Sequence, residues 1–228
     1  MSNNIYVGWD SREDIAYQVC EHSIRRRTNQ NSVNVSPLKQ SELREQKLYW
    51  REQDKLSSTE FTITRFLVPH LNKFTGWAAF CDCDMVWRSD PSELFSQVDD
   101  SKAVMVVKHD YTPQEGTKMD GQLQMPYPRK NWSSMILWNC GHPKNKALDL
   151  ETVNTASPSF LHRFEWLDDE DIGTLDHSWN WLVGWYDVER DGDPKIIHYT
   201  EGGPWFEETR HCEFSHIWKQ ELINLYSS

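Results

Sequence analysis

Three residues of this sequence have the chemistry to hold a hard divalent cation: Asp82, Asp84 and His198. The two aspartates follow the uninterrupted apolar run Trp77-Ala78-Ala79-Phe80-Cys81, which suits a strand covered on both faces. Spaced i, i+2, they are predicted by the two-residue alternation to point to one side of that strand's carboxyl end. An Asp-x-Asp pair alone is equally what a solvated strand end looks like. His198 adds a second element. It closes a short strand over 195–199 and precedes Gly202-Gly203-Pro204-Trp205, where a glycine pair could bring backbone N–H groups close to phosphate. Two carboxylates and one imidazole are a workable set for Mn²⁺ or Mg²⁺ and leave positions for diphosphate oxygens.

The elements that must position these groups read in α/β order. Residues 4–10 form a strand, and Asp10 or Ser11 can cap a helix over about 12–27, where Ile15, Ala16, Val19, Cys20 and Ile24 share a face. Arg25-Arg26-Arg27 suit its carboxyl end, where the helix dipole favours cations. Residues 32–35 make a second strand, closed by Pro37. This strand–helix–strand order predicts a parallel sheet that binds its ligand at the strands' carboxyl ends, where Asp10, Asp82 and Asp84 all lie. Residues 39–58 read as a polar surface segment, and 59–67 as a helix carrying Phe61, Arg65 and Phe66 that stops before Pro69. Further on come a short helix at 91–95, a buried strand at 103–107, a long loop over 111–130 and a strand at 135–138. Helices are predicted at 143–153, 160–166 and 214–225. The acidic run Asp168-Asp169-Glu170-Asp171 reads either as a solvated face or as part of the site.

Composition narrows the partners. With 228 residues, one domain spanning 1–228 is expected. A net charge of -11 argues against nucleic acid or an anionic membrane surface, but not against a phosphorylated ligand whose charge a metal would offset. No apolar run is long enough to span a bilayer, and Met1-Ser2-Asn3-Asn4 has no signal-peptide character. Five dispersed cysteines suit a reducing, cytoplasmic compartment. Cys81-x-Cys83 lacks the second Cys/His pair that a zinc site needs. Twelve tryptophans are enough for both a core and a surface that stacks on sugar rings.

At these residues the chain resembles the nucleotide-sugar glycosyltransferases of the GT-A fold, closest to the family 8 type of glycogenin and lipopolysaccharide galactosyltransferase. Phe80 to Asp84 is similar to that family's Asp-x-Asp strand end. His198-Tyr199-Thr200-Glu201-Gly202-Gly203-Pro204-Trp205 resembles its C-terminal His…Lys-Pro-Trp signature, and Thr64 to Pro69 its Arg-bearing helix. Ile5 to Asp10 is similar to its nucleotide-contacting first strand. The resemblance runs from about residue 4 to 206. It implies a single-domain, Rossmann-like mixed sheet, mostly parallel and flanked by helices. A nucleotide-binding half (1–110) would end just past Asp-x-Asp, and an acceptor half (111–228) would supply His198. It also implies metal-dependent sugar transfer from a nucleotide diphosphate, UDP first, to an acceptor hydroxyl with retention. Asp82, Asp84 and His198 would be the metal ligands. Gly8, Asp10, Arg12, Arg65, Asp82, Asp84, Gly202 and Gly203 would border the donor.

The departures from the family pattern are specific. Gly203 stands where the family has lysine, leaving Lys130, Lys195 or glycine N–H groups to supply that charge. Trp132 and Ser134 replace the Asn and Gly of the family's Asn-Ala-Gly-Val strand, with Asn131 a shifted substitute. The family's Asp-Gln pair has no clear counterpart, so Asp168, Asp169 and Asp171 are the candidates for its role. Two other readings stay open: a non-catalytic carbohydrate-binding relative, and a metal-dependent nucleotidyltransferase or phosphohydrolase.

Overall fold

The computed structural model describes residues 3–28, 32–52, 58–109, 129 and 131–227. Met1, Ser2, Lys130 and the predicted loop over 111–130, apart from Arg129, lie outside the described residues. In chain order the elements are β1 (Asn3–Gly8), α1 (Asp14–Arg25), β2 (Val33–Leu38), α2 (Gln40–Glu45), α3 (Val68–Leu71), β3 (Trp77–Cys81), β4 (Met85–Trp87), α4 (Pro91–Phe95) and β5 (Val104–Val107). They continue with β6 (Met135–Asn139), α5 (Leu150–Thr155), α6 (Pro158–His162), β7 (Ile172–Leu175), β8 (Trp181–Leu182), α7 (Val188–Asp191), β9 (Ile196–His198) and α8 (Ser215–Ser227).

A six-stranded sheet in the order β2-β1-β3-β6-β5-β7 forms the centre, and β4-β9-β8 make a second, smaller sheet. β1 runs parallel to β2 and β3, β5 runs parallel to β7, and only β6 is reversed. This is the mixed, mostly parallel sheet flanked by helices that the family resemblance implies. Because β6 opposes both β3 and β5, the strands β1, β3, β5 and β7 all point the same way. Their carboxyl ends therefore share one edge. β3 owes its central place to its residues: Ala78 to Cys81 are fully buried between β1 and β6, as the uninterrupted apolar run requires.

α1 lays Ala16, Val19, Cys20 and Ile24 into the core, as its periodicity predicts. Its basic end finds discrete partners. Glu221 of α8 is 3% exposed and accepts from Arg27 Nη2 at 2.6 Å and Arg26 Nη1 at 3.4 Å, strapping α8 to α1. The tryptophans divide unevenly: Trp87, Trp138, Trp179 and Trp181 are fully buried core, while Trp50 and Trp185 are exposed.

Several elements differ from the prediction. β2 continues through Pro37 to Leu38, because an edge strand tolerates a residue without an N–H donor. The segment over 59–67 is a series of turns ending in a 3₁₀ turn, Thr64–Leu67, and the chain passes directly into α3. Pro69 does not stop the helix because it occupies the first turn, where no N–H partner is required. α2 lies inside the predicted surface segment, and 143–153 is split into a 3₁₀ turn, Pro143–Ala147, and α5. β4, β7 and β8 are short strands that the sequence does not announce.

Candidate metal centre

Asp82 and Asp84 stand at the carboxyl end of β3, as predicted, but in the turn between β3 and β4 and not on the strand itself. The turn, not strand alternation, aims both carboxylates the same way. β4 then pairs antiparallel with β9, which sets Met85 opposite His198 and so brings the imidazole to the aspartates. One ligand atom each from Asp82, Asp84 and His198 lie within 4.8 Å of one another. His198 Nε2 is 3.4 Å from Asp84 Oδ1. Oδ1 of Asp82 and Oδ1 of Asp84 are both buried and make no hydrogen bond among the described residues. Buried carboxylate oxygens are rarely left in that state, and a cation is what two of them beside an imidazole fit.

The tautomer of His198 is set by a chain of hydrogen bonds with one direction. The Asn131 carbonyl can only accept, so Ser134 Oγ donates to it at 2.7 Å. Ser134 Oγ therefore accepts from Asn180 Nδ2 at 2.9 Å. The Asn180 Oδ1 that remains lies 2.8 Å from His198 Nδ1, which must be the donor. Nε2 is left to face the aspartates, as a ligand nitrogen should be. Asn180 thus supports the centre without having been marked by any motif in the sequence, whereas Ser134 stood out there only as a departure from the family's strand. Ser134, one of the two departures from the family's strand, also accepts from the Asp82 backbone N–H at 2.9 Å.

Arg65 enters from the Thr64–Leu67 turn. Its Nη1 lies 2.8 Å from Asp82 Oδ1 and donates its hydrogen bond to the Ser133 carbonyl at 2.7 Å. The guanidinium rests on the rings of Phe80, at 4.8 Å, and Phe61, at 5.2 Å. Gly8 makes room for this: a Cβ there would sit 2.5 Å from the Phe61 ring. Burial, with help from the Asp84 charge, pushes Asp82 up to about 7 despite Arg65. Burial works against the Asp84 carboxylate too, but His198 outweighs it and holds Asp84 below the usual range, while Asp84 in turn raises His198.

The other predicted donor residues are placed as follows. Asp10 is fully buried and accepts from Arg12 Nε at 3.0 Å, Arg12 Nη2 at 2.8 Å, the Arg12 backbone N–H at 2.9 Å and the Glu60 backbone N–H at 3.0 Å. It fixes the turn after β1, while Arg12, which also reaches the Ser58 carbonyl, stays largely exposed. Gly202 adopts φ +105 and donates its N–H to the Tyr199 carbonyl at 2.9 Å. Gly203 is crowded by Trp205, whose ring would lie 1.9 Å from any Cβ. A lysine cannot occupy that position with Trp205 where it is. Lys195 does not replace it: it precedes β9, at the end away from His198, and is engaged by Glu93 at 2.9 Å and the Trp179 ring.

Asp168, Asp169 and Asp171 are not brought to the centre. They precede β7, which points the same way as β3, so they stand at the opposite edge of the sheet. There Lys144 Nζ bridges Asp168 at 2.7 Å and Asp171 at 2.6 Å, and Arg129 pairs with Asp169. A further carboxylate does approach the centre. Glu13, just before α1, is pushed up to about 7 by burial and by the charges of Asp84 and Asp10. Its only signal in the sequence was its closeness to Asp10.

These features define the class. The chain has the GT-A glycosyltransferase fold, as three solved structures show. It superposes on the bifunctional glycosyltransferase WbbM with a TM-score of 0.62 at 15% identity, covering 99% of this chain and 51% of that one. For the glycosyltransferase GlyE of Streptococcus pneumoniae the TM-score is 0.60 at 14% identity, over 97% of this chain and 60% of that one. For the galactosyltransferase LgtC with donor and acceptor sugar analogues it is 0.58 at 11% identity, over 97% and 95%. The chain thus spans about half the length of WbbM and nearly all of LgtC. No protein-family model matches the sequence. The chain belongs to the family of Protein CDI of Arabidopsis thaliana, to which it is 55% identical over 221 residues, 96% of this chain and 85% of that protein.

Proposed function

We propose that this chain transfers a sugar from a nucleotide diphosphate, UDP first, to an acceptor hydroxyl, using Mn²⁺ or Mg²⁺ held by Asp82, Asp84 and His198. The observation that carries this reading is the meeting of those three ligand groups, two with buried oxygens that make no hydrogen bond among the described residues, at the carboxyl edge of a GT-A sheet. The cation, when bound, supplies Lewis acidity against the charge that builds on the leaving diphosphate. The protein's own residues do the rest by position and charge. Arg65 keeps a fixed positive charge beside Asp82. Asn180 holds His198 in one orientation, and the turn between β3 and β4 holds the carboxylates. Retention of anomeric configuration and a cytoplasmic location complete the proposal. The free cysteines Cys20, Cys81, Cys83, Cys140 and Cys212 agree with a reducing compartment.

Isothermal titration with UDP, with and without Mn²⁺, tests the donor site: binding is expected only with the cation, and cation-independent binding overturns the reading. Release of UDP from a UDP-sugar then separates an enzyme from a binder. The crowding of Gly203 and the engagement of Lys195 elsewhere favour one alternative, a carbohydrate-binding relative without catalysis. A chain that binds UDP-sugar with Mn²⁺ and never releases UDP would establish it.

A further inference from the structure

The edge that carries the centre holds another buried polar atom that makes no hydrogen bond among the described residues. His109 is 8% exposed, and its Nε2 makes no hydrogen bond among the described residues. It lies two residues beyond β5, which points the same way as β3, so it shares the edge of Asp82 and Asp84. β5 packs against the 3₁₀ turn His177–Asn180 that carries Asn180. His109 Nδ1 is 2.7 Å from Tyr186 Oη, and Tyr186 follows β8, whose Leu182 is paired with His198. His109 is thus tied to the strand that supports the metal ligand, and it lies near enough for the charge of His198 to oppose its own protonation.

The pair has one consistent proton arrangement. Burial, with the carboxylates of Asp191 and Asp176, pushes Tyr186 up to about 12, so the phenol keeps its proton and donates it to Nδ1. Burial, with the charges of His198 and His177, holds His109 down to about 3, so the ring is neutral. A neutral imidazole that accepts at Nδ1 carries its hydrogen on Nε2. A buried N–H on the edge of the centre that meets no acceptor among the described residues is a donor suited to an oxygen brought by a ligand.

We propose that His109 Nε2–H donates to a hydroxyl of the sugar carried on the nucleotide, and that Tyr186 is a positioning residue which fixes the ring. This rests on the glycosyl-transfer reading above. The neutrality of the ring suits a hydroxyl better than a phosphate, whose charge is drawn to the cation and Arg65. Its burial suits the donor sugar, which is anchored through its diphosphate at the sheet edge, better than an acceptor arriving from solvent.

Calorimetry on the whole chain with Mn²⁺ tests this, comparing a bare nucleoside diphosphate with the sugar nucleotide that the wild type selects from a panel of UDP- and GDP-sugars. His109→Phe is expected to weaken the sugar nucleotide by about tenfold or more and the bare diphosphate by less than about twofold. His109→Gln, whose amide N–H reaches roughly where Nε2–H stands, should recover most of the loss. Tyr186→Phe, which keeps the ring volume, should lose an intermediate amount, and it carries the test if circular dichroism shows His109→Phe unfolded. Equal weakening of both ligands, no weakening, or no recovery in His109→Gln overturns the assignment alone. A wild type that binds neither ligand with Mn²⁺ overturns the glycosyl-transfer reading and this proposal together.

Discussion

The two edges of the central sheet carry acidic clusters with opposite electrostatics. At the amino edge, Asp168, Asp169 and Asp171 meet Lys144 and Arg129. Asp171 Oδ2 also accepts from the Asp168 backbone N–H at 2.8 Å, closing the turn before β7. At the carboxyl edge, Asp82 and Asp84 share Arg65 and His198, and each keeps a buried oxygen without a hydrogen bond. Four acids in a row are the louder sequence signal, yet the three aspartates among them are the ones engaged by cations. What sets the proposed ligands apart from the acids of the other edge is that each keeps a buried oxygen without a hydrogen bond among the described residues, not the local density of charge.

The sharpest way to break this contrast is to remove a ligand. Asp84→Ala or Asp82→Ala should abolish the Mn²⁺-dependent part of UDP binding and lower any transfer activity by roughly a hundredfold or more. Asp82→Asn should at the same time leave the cation-free protein as stable as the wild type or more so, read as a melting temperature, because a poorly compensated buried charge is gone. A large loss of cation-free stability would mean that the carboxyl edge is structural after all.

Acidity gives the next largest effect. The folded pKa of Asp82 is raised to about 7. Its contribution to cation-free stability is therefore present below the ordinary carboxylate value and is lost as pH rises through about 7. A cation must displace that proton. Mn²⁺ affinity should rise by up to about tenfold per pH unit from pH 5 as the Asp82 proton is displaced, and this contribution should flatten above about 7. Titration in two buffers of different ionisation enthalpy would count the protons released, and a flat profile would show Asp82 already ionised.

Removing the orienting partner, Asn180→Ala, should cost about 10–100-fold in Mn²⁺ affinity, since a ligand imidazole loses its fixed tautomer. The smallest effect belongs to the other edge. Asp171→Ala should cost about 1–2 kcal/mol of stability in urea denaturation, from the lost turn closure and Lys144 contact, and leave Mn²⁺ affinity unchanged. Any loss of cation binding in that variant would erase the distinction between the edges.

Much of this is legible in the sequence. The run Trp77–Cys81 specifies β3 because uninterrupted small and apolar residues favour a strand covered on both faces, as Ala78 to Cys81 are, and the acids after it then emerge at the strand's end. α1 is legible from its period. β7 is not, since Ile-Gly-Thr-Leu between two aspartates has neither alternation nor an apolar run, and its register comes from β5. That one missed strand is why Asp168–Asp171 could be expected near the centre: without β7, nothing says which edge they occupy. Asn180 is hidden in the sequence, and Ser134 shows there only as a departure, because their roles depend on partners 18 to 49 residues away in sequence. Gly203 was visible as a departure, but its cause, the Trp205 ring folded against it, was not.

The hydrogen-bond chain from Asn131 through Ser134 and Asn180 to His198 has a kinetic consequence. Turning the Asn180 amide would break two of its links at once, so on the proposed reading the imidazole stands in its ligating orientation before a cation arrives. Capture then requires little rearrangement of the protein. Its rate should follow how fast each aqueous ion sheds its water, making Mn²⁺ a quicker occupant than Mg²⁺, which dehydrates reluctantly, even where their affinities are similar.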